Sequence, residues 1–358
     1  MSYDIVVVGG GIGGLTVAAL LSAREMNTCL LERQSQVGGC IARVEFASYD
    51  FEPGMGLYTG FGAGGIYEKL FSKLPVDLPD VSLLTSPYVT RMTDGTDVES
   101  NKDDLYSIAG GPASLAERLA ESIKRSGGSV RLNSPVLRLS YDEAGRANGV
   151  DLLSGERVLA KKAIISNLTI WDTYGKLVGL NRTPPEIKKH LNTLHGTGVY
   201  VVYASIEETA IGRLPSERML VKDEEGEFTF AIAAQGAPSG KRAVTMTTRT
   251  DVEPWFSYQS SEEEYEEWDQ EALEHFWRRL HAAMPELGGD IEIIETANPR
   301  TYYDSTRRKL GMVMGVEPSR EGPGTFLPNL FMVGDTVSTA AELEAVVKCA
   351  MALVDEIS

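Results

Sequence analysis

The residues Gly9-Gly10-Gly11-Ile12-Gly13-Gly14 follow directly on the β-branched run Asp4-Ile5-Val6-Val7-Val8 and open the apolar stretch Leu15-Thr16-Val17-Ala18-Ala19-Leu20-Leu21. That spacing suits a diphosphate. Gly9 allows a tight turn out of a strand, Gly11 lets the backbone approach a pyrophosphate, and Gly14 lets the helix pack closely on its sheet. The first turn of the helix, at Ile12 and Gly13, then offers free N–H groups and the positive end of its dipole to the anion. Glu32 ends the next expected strand, Thr28-Cys29-Leu30-Leu31, about twenty residues beyond the glycines, where a carboxylate accepts from both ribose hydroxyls and repels a 2′-phosphate. Arg33 follows it, and Gly38-Gly39 supply a second glycine pair. Taken without its surroundings the glycine motif is only a turn. Strand, glycines, helix, strand and acid in this order make it a dinucleotide site.

The remaining chain must provide the sheet that carries these residues. Residues 66–74 read as a helix terminated by Pro75, and residues 81–84 and 88–92 as strands. Residues 93–104 read as a polar hairpin and surface loop. Pro112 opens a helix with the stripe Leu115, Leu119 and Ile123, which Gly127-Gly128 stops. Strands follow at 129–132 and 135–139, then a meander over 147–152, 157–159 and 162–165. Helical stretches at 170–177 and 185–194 lead to strands at 199–204, 228–232 and 243–247, which suit an antiparallel sheet with one buried face. Ser261 is placed to cap a long helix with glutamates at the positive end of its dipole. Its stripe of Tyr265, Trp268, Ala272, Phe276 and Leu280 reads as core. A strand at 291–296 precedes the segment 298–303, and a strand at 329–333 ends in Gly334-Asp335 before a helix over 339–357. His195 reads as a surface or packing residue, because no carboxylate or nucleophile is spaced to orient it as a base.

Composition narrows the function classes. The 358 residues, 42% of them apolar, suffice for about two domains with sizeable cores. Acids outnumber bases by 51 to 34, and a formal charge of −17 repels nucleic acid and anionic lipid headgroups. Nucleic acid is thereby excluded as a partner, and any membrane contact is apolar and peripheral. Cys29, Cys40 and Cys349 are scattered and the four histidines do not cluster with them, which excludes a structural zinc and fits a reducing compartment. The first strand begins close to Met1, with no leader-like segment before it, and no apolar run reaches spanning length. A cytoplasmic location is expected.

The block Val37-Gly38-Gly39-Cys40-Ile41-Ala42-Arg43-Val44-Glu45-Phe46, then Tyr49-Asp50-Phe51-Glu52-Pro53-Gly54 and Leu57-Tyr58-Thr59-Gly60, resembles the N-terminal third of the phytoene desaturase and carotenoid isomerase family. That family lies within the FAD-dependent amine oxidoreductase superfamily. The resemblance implies FAD extended through the domain, with Val136 contacting the adenine through its backbone. It also implies that Asp335 holds the ribityl hydroxyls and that the following helix points at the flavin pyrimidine. The family pattern carries an arginine after the glycine pair, where this chain has Cys40; the nearest arginine is Arg43. Cys40 thus lies near the expected flavin, as a small hydrophobe rather than a covalent attachment point. A long helical insertion that the family places before Gly110-Gly111-Pro112 is replaced by the polar segment described above. Tyr302 and Tyr303 line either the flavin or the core. Glu342 and Glu344 either point away from the flavin or mark a substrate more polar than a polyene.

The expected fold is α/β, a Rossmann-like FAD-binding domain of the amine oxidase (GR2) type with a smaller antiparallel α+β substrate domain. Residues 1–74, 106–172 and 297–358 form the first, and 75–105 and 173–296 the second. The implied reaction is hydride transfer between a substrate carbon and flavin N5, on an apolar isoprenoid or polyene-like small molecule. Desaturation and reduced-flavin isomerisation are both outcomes of that chemistry. No catalytic side chain is assigned, since a hydrocarbon requires no strong acid or base. An FAD-dependent amine or amino-acid oxidase is the alternative. A non-catalytic prenyl-binding escort protein is the third reading, and it would show eroded cofactor motifs. Oligomeric state is left open.

Overall fold

The computed structural model describes residues 1–85, 88–100, 102–236, 240–257, 261–313, 325–338, 340 and 342–357. Two large sheets organise them. The first runs in the order Val136–Tyr141, Ala147–Leu152, Arg157–Ser166, Ser2–Val8, Thr28–Leu31, Ser129–Arg131, and Leu330–Met332 also pairs with Arg157–Ser166. Its centre is parallel: Ser2–Val8 lies between Arg157–Ser166 and Thr28–Leu31, with Val6 beside both Ile164 and Cys29. Continuous apolar runs such as Ile5 to Val8 are what a parallel strand covered on both faces requires. The helix Ile12–Ala23 covers one face, packed between Ala113–Arg125 and Leu343–Ile357. It is apolar around its whole circumference, which is the sequence signature of a helix with neighbours on every side. Ile170, Trp171, Tyr174 and Leu177 cover the other face.

The second sheet runs Ile291–Ala297, Gly198–Glu207, Lys241–Thr250, Gly226–Gly236, Arg218–Asp223, Val89–Arg91, Asp97–Glu99. It is antiparallel except where Arg218–Asp223 meets Val89–Arg91. The polar hairpin expected over 93–104 is therefore its edge. Arg91 fastens that edge: Nε and Nη2 donate to the two carboxylate oxygens of Asp97 at 2.8 and 2.9 Å, and Nη1 to Glu286 at 2.5 Å.

The sheet has two covered faces where one was expected. Tyr200, Val202, Ala204 and Ile206 pack with Phe276 and Leu280 of the helix Glu262–Ala283. On the opposite face Val199, Val201 and Tyr203 pack against a hairpin, Val44–Phe46 and Tyr49–Phe51. Ring centroids of Phe46 and Phe51 lie 5.4 and 4.8 Å from that of Tyr203. Strands of three residues carry too few alternations to announce themselves. The long helix begins as expected, with the Ser261 side chain accepting from the Glu264 N–H at 3.1 Å.

Four other elements differ in extent. The helix at 66 ends at Phe71, followed by i→i+3 bonds at Lys73 and Leu74 before Pro75. Expected strands at 157–159 and 162–165 are one strand, Arg157–Ser166, whose first half pairs antiparallel and second half parallel. The helix at 170 opens into a wider π-helical turn over Thr173–Gly179, with Thr183 Oγ1 donating to the Tyr174 carbonyl at 2.8 Å. The last helix starts at Leu343; residues 339 and 341 of the expected span lie outside the described residues. Among the described residues no helix is long and apolar enough to cross a membrane.

Candidate cofactor and substrate site

The glycine turn sits where the first strand meets the helix Ile12–Ala23. Gly9, with φ +101°, donates to the Leu31 carbonyl at 2.9 Å and so ties the turn to the neighbouring strand. No side chain caps the helix at Gly11, which leaves the first-turn N–H groups of Ile12 and Gly13 free of a side-chain acceptor. Glu32 is buried beside them. Its Oε2 accepts from Gly10 N at 2.6 Å and its Oε1 from Gln34 N at 2.8 Å. Each oxygen keeps a second lone pair for a ribose hydroxyl. Gly38 N donates to the Gly10 carbonyl at 2.8 Å, and a Cβ on Gly39 would lie 3.5 Å from Gly11 Cα, so the second glycine pair is laid on the first. The backbone before Val136 reaches the same corner: Ser134 N donates to the Glu32 carbonyl at 2.8 Å. An uncapped helix start, a buried carboxylate with acceptor capacity and two backbones in contact through glycine form a cradle that fits an extended dinucleotide.

Asn167, which no motif singles out, stands beside this turn. A Cβ on Gly11 would meet its Nδ2 at 2.6 Å, and one on Gly13 its Oδ1 at 2.8 Å. A Cβ on Gly14 would run into the Gly9 carbonyl oxygen. The same Oδ1 lies 3.3 Å from the Cβ position of Gly334, so one amide touches both glycine segments.

Asp335 follows Gly334 after the strand Leu330–Met332 and is held by a residue that belongs to no recognisable motif. Arg308 Nη1 and Nη2 donate to its two oxygens at 3.1 and 2.5 Å, while Nε donates to the Met312 carbonyl at 2.6 Å. Burial opposes the charge on Arg308, but Asp335, Cys40 and Asp172 outweigh it and hold its pKa above the ordinary arginine range. Cys40 is solvent-exposed rather than packed as a small hydrophobe, and it sits in the short 3₁₀ turn Gly39–Ile41, none of whose residues is buried. Surrounding protein pushes its thiol pKa up, with Arg308 opposing and Asp335 adding to the shift. The missing arginine after the glycine pair was the one sequence signal that a cation had to arrive from elsewhere.

Tyr302 and Tyr303 part company. Tyr302 joins the aromatic cluster of Phe46, Phe51 and Tyr203, and its phenol, raised well above the usual range by burial, adjoins those of Tyr203 and Cys40's thiol. Burial likewise pushes the Tyr203 phenol up to about 12, with Tyr302 opposing the rise. Tyr303 turns outward, edge-on to Phe256 at 5.5 Å with Arg307 5.1 Å over its ring. Arg33 donates to the Asp304 and Ser305 carbonyls at 3.2 and 2.8 Å, tying the segment after Glu32 to the end of the helix Pro299–Thr306. Glu344 accepts from Thr59 Oγ1 at 2.6 Å and pairs with Lys348 at 2.5 Å, which together hold its carboxyl below the usual range. Glu342 and His195 are exposed. No cluster of metal-ligating side chains occurs among the described residues.

Residues 7–74 match the NAD(P)-binding Rossmann-like domain, and residues 91–339 match the flavin containing amine oxidoreductase family. The chain is 24% identical to the inactive all-trans-retinol 13,14-reductase of Danio rerio over 294 residues, 70% of this chain and 49% of that protein. It is 27% identical to the chloroplastic prolycopene isomerase of Arabidopsis thaliana over 255 residues, 63% of this chain and 41% of that one. It thus spans about half the length of these curated relatives, or less. Among solved structures, an oxidoreductase from Methanosarcina mazei superposes with a TM-score of 0.75 at 16% identity, covering 99% of this chain and 100% of the other. Putrescine oxidase bound to putrescine superposes with a TM-score of 0.68 at 13% identity, covering 100% and 99%. Such identities speak to fold. The family match, extending over more than half of the chain and joined to the cradle described above, shows that this protein belongs to the flavin containing amine oxidoreductases and that its dinucleotide is FAD.

Proposed function

We propose that this chain is an FAD-dependent oxidoreductase acting on an apolar isoprenoid or polyene-like molecule, which it desaturates, reduces or isomerises. The observation that carries the reading is the aromatic cluster of Phe46, Phe51, Tyr203 and Tyr302 next to Cys40. When bound, the flavin supplies hydride exchange at N5. The chain supplies position and apolar surroundings: the packed rings of Phe46, Phe51 and Tyr203 back the segment that carries Cys40 with a water-free wall. Tyr203, with its pKa near 12, stays neutral at physiological pH and places no charge there.

The same geometry ranks the alternatives. A cation-binding cage for an amine would be framed by Glu342, Glu344 or the Tyr302-Tyr303 pair, and here Glu344 is engaged by Thr59 and Lys348 while Tyr302 packs into the aromatic cluster apart from Tyr303. An escort protein needs no working cradle, and here Gly9, Gly11, Gly14, Glu32 and Asp335 are all present. The relatives named for retinol and prolycopene support a polyene, and putrescine oxidase supports an amine at the level of fold. We further propose the division into a cofactor unit of 1–74, 106–172 and 297–358 and a substrate unit of 75–105 and 173–296. Each large sheet draws nearly all its strands from one of these units, and the small pair Val81–Leu83 and Tyr106–Ile108 joins them. A cytoplasmic location is retained on the three scattered free cysteines.

Absorption of the purified protein tests the proposal first. Flavin bands that pass into the small-molecule fraction on denaturation are expected. Anaerobic addition of prolycopene and, separately, putrescine then separates the substrate readings. Bleaching of the flavin or a changed polyene isomer with the first supports the proposal, and bleaching by putrescine alone refutes it. A colourless protein that cannot be reconstituted with FAD would favour the escort reading.

A further inference from the structure

The glycine at position 11 has no backbone reason to be glycine. Its φ and ψ of −74° and 174° are ordinary extended values that any residue adopts. Space is the constraint, and the atom that defines it is Asn167 Nδ2, 2.6 Å from where a Cβ would stand; the next atom, Asn167 Cγ, is 3.8 Å away. The gap that lets a pyrophosphate approach the turn is thus bordered by a side-chain donor.

That donor is unused. Among the described residues Asn167 Nδ2 meets no acceptor, while the Asn167 backbone N–H donates to the Val8 carbonyl at 2.8 Å. An amide carries two N–H donors, and Asn167 is half-buried, so the group stays open to a ligand. The amide lies 2.6, 2.8 and 3.3 Å from where Cβ atoms would stand on Gly11, on Gly13 at the helix start and on Gly334 before Asp335. The surrounding charge also favours it. Glu32 and Asp335 already place two carboxylates along the cradle, so a neutral donor adds attraction for an anion without adding a counter-charge to be paired when the site is empty.

We propose that Asn167 is a cofactor-binding residue, donating through Nδ2 to a phosphate or ribityl oxygen of FAD at the Gly11 gap. It would also couple the N-terminal glycine turn to the Gly334-Asp335 turn, so that occupancy at one is felt at the other. The inference concerns FAD alone and stands whatever the substrate is.

Three variants test it: Asn167→Ala, the isosteric Asn167→Asp, and Gly11→Ala in both the wild-type and Asn167→Ala backgrounds. FAD affinity is read from quenching of flavin fluorescence, and protein unfolding separately from tryptophan fluorescence of the flavin-free chain. A hydrogen bond to a charged group is worth about tenfold to a hundredfold in affinity. The dissociation constant of Asn167→Ala is therefore expected to rise by that factor with unfolding of the flavin-free chain unchanged. Asn167→Asp, with no donor and a negative charge, is expected to bind FAD more weakly still. Gly11→Ala alone should destabilise the flavin-free chain, and Asn167→Ala should relieve that loss without restoring FAD affinity. Equal FAD affinity in wild type and Asn167→Ala would overturn the proposal. So would a loss of stability in flavin-free Asn167→Ala large enough to account for its weaker binding, since Asn167 would then be a packing residue.

Discussion

Removing the Asp335 carboxylate should unfold this protein more readily before it affects any chemistry. In Asp335→Ala, Arg308 keeps only the bond from Nε to the Met312 carbonyl, and Nη1 and Nη2 lose both acceptors. The guanidinium side chain is 14% exposed and the carboxylate 24%, so water reaches the stranded charge only in part. Breaking a buried pair from one side costs about 3–5 kcal/mol, and the residual exposure here places the expected loss near the lower figure. Urea titration of the flavin-free protein measures it. The companion variant Asp335→Ala/Arg308→Met removes both charges and fills a similar volume, and it should recover most of that loss, since replacing a buried pair by apolar groups is often neutral. FAD affinity should fall in both variants, because neither retains the acceptor expected for the ribityl hydroxyls. Two results would refute this reasoning: Asp335→Ala as stable as wild type, or a double variant no more stable than the single one.

Other outcomes follow from single contacts. Gly14→Ala drives a Cβ into the Gly9 carbonyl, which only a backbone shift relieves, and it should cost about 1–3 kcal/mol in urea titration of the flavin-free chain. Phe51→Ala empties a site that is 4% exposed between the hairpin and Tyr203, and about 3–5 kcal/mol of stability should go with it, measured the same way. Glu344 is a carboxyl depressed by Lys348 and Thr59, so its contribution is complete above the ordinary glutamate pKa and is lost as pH falls through its lower folded value. Thermal unfolding of Glu344→Gln should accordingly differ from wild type at pH 7 and converge with it in acid. Cys40 is exposed yet has a raised pKa, so iodoacetamide should modify it more slowly at pH 7.5 than it modifies a small-molecule thiol, and FAD should slow the reaction further.

The first sheet and its glycine turn were legible because their signals are local. Val6 to Val8, Gly9 to Gly14 and Glu32 declare strand, turn and acid within forty residues, and the structure places them in that order. The cap at Ser261 and the core stripe through Phe276 and Leu280 are local in the same way. The hairpin at 44–51 was not legible as the second cover of the second sheet, since its contacts with Tyr203 join residues some 150 positions apart and its strands are too short for periodicity. Arg308 and Asn167 were hidden for a related reason. Neither belongs to a motif, and each becomes significant only through what the fold brings beside it: Asp335 for the first, the glycines of two separate turns for the second. Tyr302 and Tyr303 could not be told apart because consecutive helical residues point in different directions, and which direction is the interior depends on the partner sheet.

Leu330–Met332 enters the first sheet beside Arg157–Ser166, with Ile164 against Leu330, and five of the seven strands of the second sheet are synthesised between these two strands. During synthesis the flank of Arg157–Ser166 that Leu330–Met332 will occupy therefore waits unpaired, with Ile164 and Ile165 on a strand able to recruit another chain. The nascent protein must complete its nearer, antiparallel pairings first and close the parallel sheet last, the slow order for a contact of such separation. Since Asp335 and the helix Leu343–Ile357 arrive with that final strand, FAD meets a finished cradle only at the end of folding. Flavin supply during expression should then govern how much chain escapes aggregation, by trapping the closed sheet through mass action.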